Sequence, residues 1–169
     1  MNTKAHRLSK KTLVIIRHAH RIRKNEGRAD NGLSRKGVRQ AKAAADFFLS
    51  RFGLIQTMLL SSPKKRCIET LEPLSKKLAL KITPSDLLLE NSNPKALSAQ
   101  TQEFCRWWKK KAPNHLVICT HGDWIPVFFQ HALGIEAELK IDKGGWAELE
   151  LSRAKVELRW LIQDFKSLS

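Results

Sequence analysis

The chain of 169 residues has no apolar run long enough to cross a bilayer, and its opening stretch, residues 1–11, is basic and polar. Because no apolar segment follows that stretch, we do not interpret it as a secretory signal. We expect a flexible tail over residues 1–11 and one folded domain over residues 12–169.

Cysteine is scarce, and Cys67, Cys105 and Cys119 are far apart in the sequence. Their odd number and wide spacing fit neither a disulfide framework nor a zinc site. Reduced thiols are typical of the cytoplasm, and we therefore predict a cytoplasmic protein.

Acidic residues are also few, with 16 Asp and Glu against 31 Lys and Arg, which gives a formal net charge of +15. This excess predicts attraction to anions, which include phosphorylated metabolites, phosphoproteins, nucleic acid and acidic membrane surfaces. The charge does not choose among them, and a solvated basic surface without a ligand is an alternative. The apolar content of 42% and charged content of 28% are typical of a globular protein rather than a disordered one.

Strand-like and helix-like segments alternate along the chain, with no internal repeat and no interdomain linker. The predicted strands are residues 13–16, 55–60, 80–83, 116–120, 146–151 and 156–162. The last two alternate apolar and polar residues, which predicts an antiparallel hairpin. The alternation as a whole predicts a single three-layer α/β/α domain with a mixed, mostly parallel central sheet.

Capping residues delimit the first predicted helix, which Ser34 begins and Gly53 ends. Its predicted inward face is Val38, Ala41, Ala45, Phe48, Leu49 and Phe52. A later helix is predicted over residues 95–111. Its inward face is Leu97, Thr101, Phe104, Cys105 and Trp108.

Two further helices are predicted from their end signals. Ser62 fits an N-cap with Pro63 at the first helical position, and Pro73 should kink or split the helix that follows. Asp123 fits the N-cap of the fourth helix, and Gly134 fits its end.

Basic side chains follow two buried strands and one helix start. Arg17 and His18 end the strand at residues 13–16, His121 ends the strand at residues 116–120, and Arg66 lies in the first turn of the second helix. The carboxyl ends of the strands of an open α/β sheet meet at one edge, where ligands bind. A helix N-terminus and arginines favour anions, so the pattern predicts a cavity for a tetrahedral dianion. Alternatively, Arg17 and His18 simply cap a strand at the surface.

Four blocks carry a resemblance to a known family. They are Arg17-His18-Ala19, the block at residues 32–37, Ser61-Ser62-Pro63 with Arg66 and Thr70, and Thr120-His121-Gly122. In this order they resemble the histidine phosphatase superfamily, and the Ala in place of the usual Gly in the first block, together with the short chain, is similar to its small SixA-like branch. The resemblance implies a phosphoglycerate mutase-like fold.

The resemblance also implies roles for individual residues. His18 would be the nucleophile that forms a phosphohistidine, and Arg17, Arg66 and a protonated His121 would bind the phosphoryl oxygens. Because side chains supply the cations, we expect no metal and no cofactor.

The general acid is open at this point. The family usually places it after the third strand, where Glu90 lies, and an exposed charge without a role is the alternative for this residue. Asp123 is the competing candidate, and the short branch of the family can also lack the acid.

The loop after the first strand carries tentative substrate-binding residues. Arg21 and Arg23 would suit a substrate with more than one negative group, or they are solvated loop charges. Asn25 resembles a phosphate-contacting Asn of the family, at a spacing that differs by one.

Together these features predict a metal-independent phosphatase that hydrolyses a phosphomonoester or phosphoprotein through a phosphohistidine on His18. A phosphoglycerate mutase-type phosphotransferase is one alternative, although the chain leaves little room for extra substrate-enclosing segments. A non-catalytic phosphate-binding or interaction module of the same fold is another. We do not expect nucleic acid as a partner, because no RNP-like aromatic motif or zinc finger is present. The oligomeric state is left open.

Overall fold

The computed structural model describes residues 10–23, 30–136 and 138–165. Asn25 and residues 1–9 of the predicted tail therefore lie outside the described residues. In the described part of the chain, no helix combines the length and the apolar character needed to cross a membrane.

The described residues form a mixed sheet flanked by helices. The strands are β1 (Lys11–Arg17), β2 (Met58–Ser61), β3 (Ile82–Pro84), β4 (His115–Thr120), β5 (Trp146–Ser152) and β6 (Lys155–Ile162). Their order in the sheet is β3-β2-β4-β1-β5-β6. The first four strands in this order pair in parallel, and β5 and β6 pair antiparallel, as the predicted hairpin requires.

The sheet lies between two helical layers. The helices are α1 (Arg35–Phe52), α2 (Lys65–Leu78), α3 (Pro94–Lys111) and α4 (Trp124–Leu133). Successive residues of a strand face opposite sides, so Leu13 and Ile15 of β1 pack with α3 and α4 while Val14 and Ile16 pack with α1 and α2. The predicted three-layer α/β/α architecture is confirmed.

Helix α1 begins and ends where its sequence predicts. The Ser34 side chain accepts a hydrogen bond from the Gly37 backbone N–H, and Gly53 follows the last turn with a φ of 67°. A side chain at position 37 would collide with the His20 carbonyl, so Gly37 lets the first turn of α1 pack against the chain that leaves β1. Val38 is an exception to the prediction, because it is 42% exposed.

The start of α2 differs from the prediction. Strand β2 runs over Met58–Ser61 rather than residues 55–60, and α2 begins at Lys65 with Lys64 in the cap position. Ser62 is therefore not an N-cap; its hydroxyl lies 2.8 Å from the Nε2 atom of His121.

Pro73 neither splits nor ends α2, which continues to Leu78. Leu71 and Leu74 are buried on either side of it in the core. Burial of these side chains outweighs the one backbone hydrogen bond that proline cannot donate.

The remaining elements lie close to their predicted positions. Strand β3 is a short edge strand, a 3₁₀ turn spans Asp86–Leu88, and α3 buries the five side chains predicted to face inward. Helix α4 ends at Leu133, and Gly134 follows it with a φ of 65°, the left-handed conformation that glycine favours.

Candidate active site

Strand register places the predicted site residues side by side. Arg17 at the end of β1 is opposite Thr120 at the end of β4, and Ser61 at the end of β2 is opposite Cys119. The next residue of β1 is His18 and that of β4 is His121. Because β1 leads to α1 on one face and β4 leads to α4 on the other, this edge is the switch point at which open α/β sheets bind ligands.

His18 is held in one tautomer. Its Nδ1 atom lies 2.9 Å from the Ala19 carbonyl oxygen, which can only accept a hydrogen bond, so Nδ1 carries the proton. The Ala19 N–H donates to the Thr70 hydroxyl at 3.0 Å, which secures the backbone on which the ring depends. The neutral ring therefore has its lone pair on Nε2.

Burial is the main cause that lowers the pKa of His18 from 6.5 to about 4. The charges of Arg66 and Arg17 act in the same direction, whereas the Ala19 hydrogen bond opposes them. At neutral pH the ring is unprotonated at Nε2, which is the state that a nucleophile needs.

His121 lies beside His18, with 5.4 Å between the ring centroids. Its Nδ1 atom is 3.1 Å from an Arg66 N–H donor, which requires Nδ1 to accept, so the proton lies on Nε2 and is donated to Ser62. Burial, with Arg66 and His18, lowers its pKa to about 3 although Glu90 opposes this. In the free protein His121 is thus neutral, in contrast to the protonated state that the resemblance implies.

Arg17 reaches the cavity across a glycine. A side chain at Gly122 would come within 2.6 Å of the guanidinium carbon, so only glycine at this position lets Arg17 lie there. One N–H of Arg17 donates to the Ile141 carbonyl at 2.8 Å, and its buried Nε has no acceptor among the described residues. The guanidinium therefore keeps donors available for an anion.

Arg66 lies at the centre of the site. Its side chain is nearly buried and donates to Glu90 at 2.6 Å, and it is 3.5 Å from Asp30. Asp30 also accepts from the Lys65 backbone N–H at 2.7 Å, so it binds the first turn of α2 to the loop before α1. These carboxylates orient Arg66 while its charge remains at the cavity.

Glu90 reaches the same cavity from the loop before α3. Its side chain is 48% exposed, and its second oxygen lies 3.5 Å from Nδ1 of His121. Burial raises the pKa of Glu90, but the hydrogen bond from Arg66 and the nearby positive charges outweigh it and lower the pKa overall. Glu90 is thus ionised in the free protein.

Asp123 has a different task from the predicted helix cap. It stands at the N-cap position of α4, but its side chain makes no capping hydrogen bond. Instead its carboxylate accepts from the Asn91 backbone N–H at 3.0 Å, which attaches the loop that carries Glu90 to the start of α4.

These residues line a cavity of about 310 Å³. The cavity is lined by Arg17, His18, Arg21, Arg66, Glu90, His121, Gly122, Asp123 and Lys143. The structure thus brings together the predicted residues except Arg23, while Asn25 lies outside the described residues. Arg23 instead lines a neighbouring cavity of about 330 Å³.

The sequence does not predict how two residues contribute to the site. Ser62 fits a helix cap in the sequence but contacts His121, and Lys143 follows α4 in a stretch without a motif. Only its charge could have drawn attention to Lys143, and the chain has many lysines. Among residues 10–23, 30–136 and 138–165, no group of three or more His, Cys, Asp or Glu side chains could hold a metal ion.

Solved structures with this fold include several phosphatases. The protein histidine phosphatase SixA, in complex with tungstate, is 15% identical with a TM-score of 0.73, covering 94% of this chain and 99% of SixA. A mutant phosphoserine phosphatase from Entamoeba histolytica in complex with phosphoserine has the same identity and TM-score, with coverage of 94% and 100%. A mycobacterial glucosyl-3-phosphoglycerate phosphatase is 18% identical with a TM-score of 0.72, with coverage of 91% and 99%.

No curated protein sequence matches the chain. The model of the histidine phosphatase superfamily (branch 1) matches residues 13–96, which include the blocks around His18 and Arg66. The order of motifs, the sheet topology and the convergence of His18, Arg66 and His121 agree with that match. The chain belongs to the histidine phosphatase superfamily.

Proposed function

We propose that this protein is a phosphatase that hydrolyses a phosphomonoester or phosphoprotein through a covalent phosphohistidine on His18. The observation that carries the proposal is the state of His18 itself. The Ala19 carbonyl fixes the proton on Nδ1, and the pKa of about 4 leaves the Nε2 lone pair available at a cavity that Arg17 and Arg66 line. Family membership and the phosphatases that share the fold support the same general activity.

In the first step, the Nε2 lone pair of His18 attacks phosphorus and the bond to the leaving oxygen breaks. Arg17 and Arg66 bind the phosphoryl oxygens and stabilise the charge that develops on them. The bound dianion raises the pKa of His121. As Arg66 turns its N–H from Nδ1 of His121 to a phosphoryl oxygen, that Nδ1 takes up a proton and donates it in a hydrogen bond to another phosphoryl oxygen.

Glu90 is the proposed general acid. The dianion also favours the protonated form of this carboxyl, which then gives its proton to the leaving alkoxide. In the second step, a water molecule attacks the phosphohistidine, Glu90 accepts the proton of that water, and inorganic phosphate leaves with His18 restored.

The test is the His18→Ala variant, assayed with nitrophenyl phosphate and an alkyl phosphate. We expect kcat/KM to fall by at least about 10³ while the circular dichroism spectrum is unchanged. His131→Ala is the matched control, since this histidine lies in the last turn of α4 and lines neither cavity. We also expect a chelator to leave the wild-type rate unchanged, because side chains supply the cations.

Trapping experiments separate the proposal from its alternatives. Acid-labile radiolabelled phosphate should appear on the wild type and be absent from His18→Ala. If His18→Ala retains most of the wild-type rate, the mechanism is wrong. If phosphate remains on His18 without release, the protein is a phosphate-binding module of this fold.

A further inference from the structure

Lys143 belongs to the site although no motif contains it. Two hydrogen bonds to its backbone fix the turn that carries Lys143. The Gly144 N–H donates to the Arg17 carbonyl at 3.1 Å, and the Gln40 side-chain amide donates to the Lys143 carbonyl at 2.7 Å. Gly144, with a φ of 80°, lies against Gln40 and lets the turn pass close to α1. The ammonium group is therefore carried by an ordered part of the fold.

The charges that shift the pKa of Lys143 are all positive. Burial lowers its pKa, and the charges that lower it further are those of Arg23, Arg17, Arg21 and Arg66. Among the described residues, no carboxylate forms an ion pair with Lys143, Arg21 or Arg23. Such crowding is unfavourable unless a ligand brings negative charge to it.

Lys143 also joins two cavities. Lys143 and Arg17 line both the site cavity and the neighbouring cavity. The neighbouring cavity is also lined by His20, Arg23, Lys36, Gln40 and Gln163. Asp142 and Asp164 line the neighbouring cavity as well, whereas the two cations common to both cavities are Arg17 and Lys143. If Arg17, Arg66 and His121 bind the phosphoryl group, Lys143 is the remaining cation common to both cavities.

We propose that the substrate carries a second anionic group, a carboxylate or a further phosphate, and that Lys143 binds it at the junction of the two cavities, with Arg21 nearby in the site cavity. This inference rests on the proposed function, because it takes the transferred phosphoryl group to lie beside His18. It makes Lys143 a specificity-determining residue that favours doubly anionic small substrates over simple alkyl phosphates.

The test uses phosphonates, which bind without turnover, so it does not depend on activity. Calorimetry compares the affinity for butylphosphonate with that for 4-phosphonobutanoate, and does the same for longer pairs of equal chain length. The two ligands of each pair differ by one carboxylate. We expect the wild type to bind the best carboxylated ligand about tenfold more tightly, and the preference to weaken as salt is added. Lys143→Met should abolish the preference, and Lys143→Arg should restore most of it.

Lys155→Met is the matched control, because this exposed lysine lies at the β5–β6 turn and pairs with Glu157. It should retain the full preference. Equal affinity of the wild type for the carboxylated and plain ligands overturns the inference, as does a preference that survives in Lys143→Met. A preference that depends on Lys143 in a protein without His18-dependent phosphate release upholds this inference and contradicts the proposed function.

Discussion

At the scale of single residues, His18 and His121 show how one cavity sets the protonation of its side chains. Both rings are buried among arginines, and both pKa values lie well below that of a free histidine. The hydrogen bonds of each ring then decide which nitrogen carries the proton, with Ala19 fixing His18 and Ser62 with Arg66 fixing His121. Two neighbouring histidines of one cavity are thus held in opposite tautomers.

The depressed pKa of His18 predicts a loss of stability in acid. The unfolded chain protonates this ring below about pH 6.5, whereas the folded protein resists protonation until about pH 4. The part of the free energy of unfolding that the neutral ring contributes above pH 6.5 is therefore lost as the pH falls toward 4. About 2 kcal/mol of it is already lost at pH 5. Urea unfolding at pH 7 and pH 5 should show a smaller acid-induced loss for His18→Asn than for the wild type. Identical losses in the two proteins would contradict the burial that we assign to the ring.

Glu90 allows a test of acid catalysis through the leaving group. A leaving alkoxide needs a proton as the P–O bond breaks, whereas a nitrophenolate barely does. Glu90→Gln should therefore lower kcat for an alkyl phosphate by about 10² and change the rate for nitrophenyl phosphate far less. Glu103→Gln on the exposed side of α3 is the control and should affect neither substrate.

A different outcome would reassign the acid. Equal losses for the two substrates would mean that Glu90 acts only by orienting Arg66 through their 2.6 Å contact. No loss for either would place the chain with the acid-less enzymes, for which a labile phosphoramidate is the better substrate.

At the scale of elements, the start of α4 supports the site from two sides. Gly122 leaves room for Arg17. The Asp123 carboxylate accepts a hydrogen bond from the Asn91 N–H and so attaches the loop that carries Glu90. Helix α4 is anchored in the core by Trp124, Ile125 and Phe128. A rigid helix thereby positions a loop residue that is itself half exposed.

The Asp123 contact predicts an effect on catalysis rather than only on helix stability. Asp123→Ala removes the acceptor for Asn91, so the alkyl phosphate rate should fall, by less than in Glu90→Gln, while the nitrophenyl phosphate rate changes little. Asp123→Asn keeps an oxygen that can accept and should remain near the wild type. Asp46→Ala, a surface variant that breaks an ion pair with Lys77, controls for general destabilisation. If Asp123→Ala lowers the melting temperature without any dependence on the leaving group, the contact is structural only.

At the scale of the whole molecule, the net charge of +15 acts on association. A positive cleft raises the rate of encounter with anions, and salt screens the effect. We expect kcat/KM for a doubly anionic substrate to fall several-fold between low and physiological salt. Replacing Arg21 and Arg23 with Gln should flatten this dependence.

The control removes the same charge elsewhere. Lys42→Gln with Lys81→Gln replaces two exposed lysines that line neither cavity, and it should leave the salt dependence close to that of the wild type. Equal flattening by both pairs would show that net charge alone matters, and that Arg21 and Arg23 are solvated loop charges.

Much of the fold and the centre of the site were predictable because their signals are local. An apolar run followed directly by Arg17 and His18 places both residues at a strand end, whatever the rest of the chain does. Caps such as Ser34 and Gly134 act within one helical turn, and the structure has them where the sequence predicts. Parallel pairing then brings His121 to the same edge.

The tertiary structure alone decided the contacts between distant segments. Ser62 looks like a helix cap but lies beside His121, Asp123 looks like another cap but holds the Asn91 N–H, and Lys143 carries no local signal at all. A side chain with several available partners takes the one that packing presents, and a sequence does not show which that is. The sequence therefore determined which residues stand at the sheet edge, whereas the packing of loops against helix starts decided how those residues are oriented, protonated and surrounded by charge.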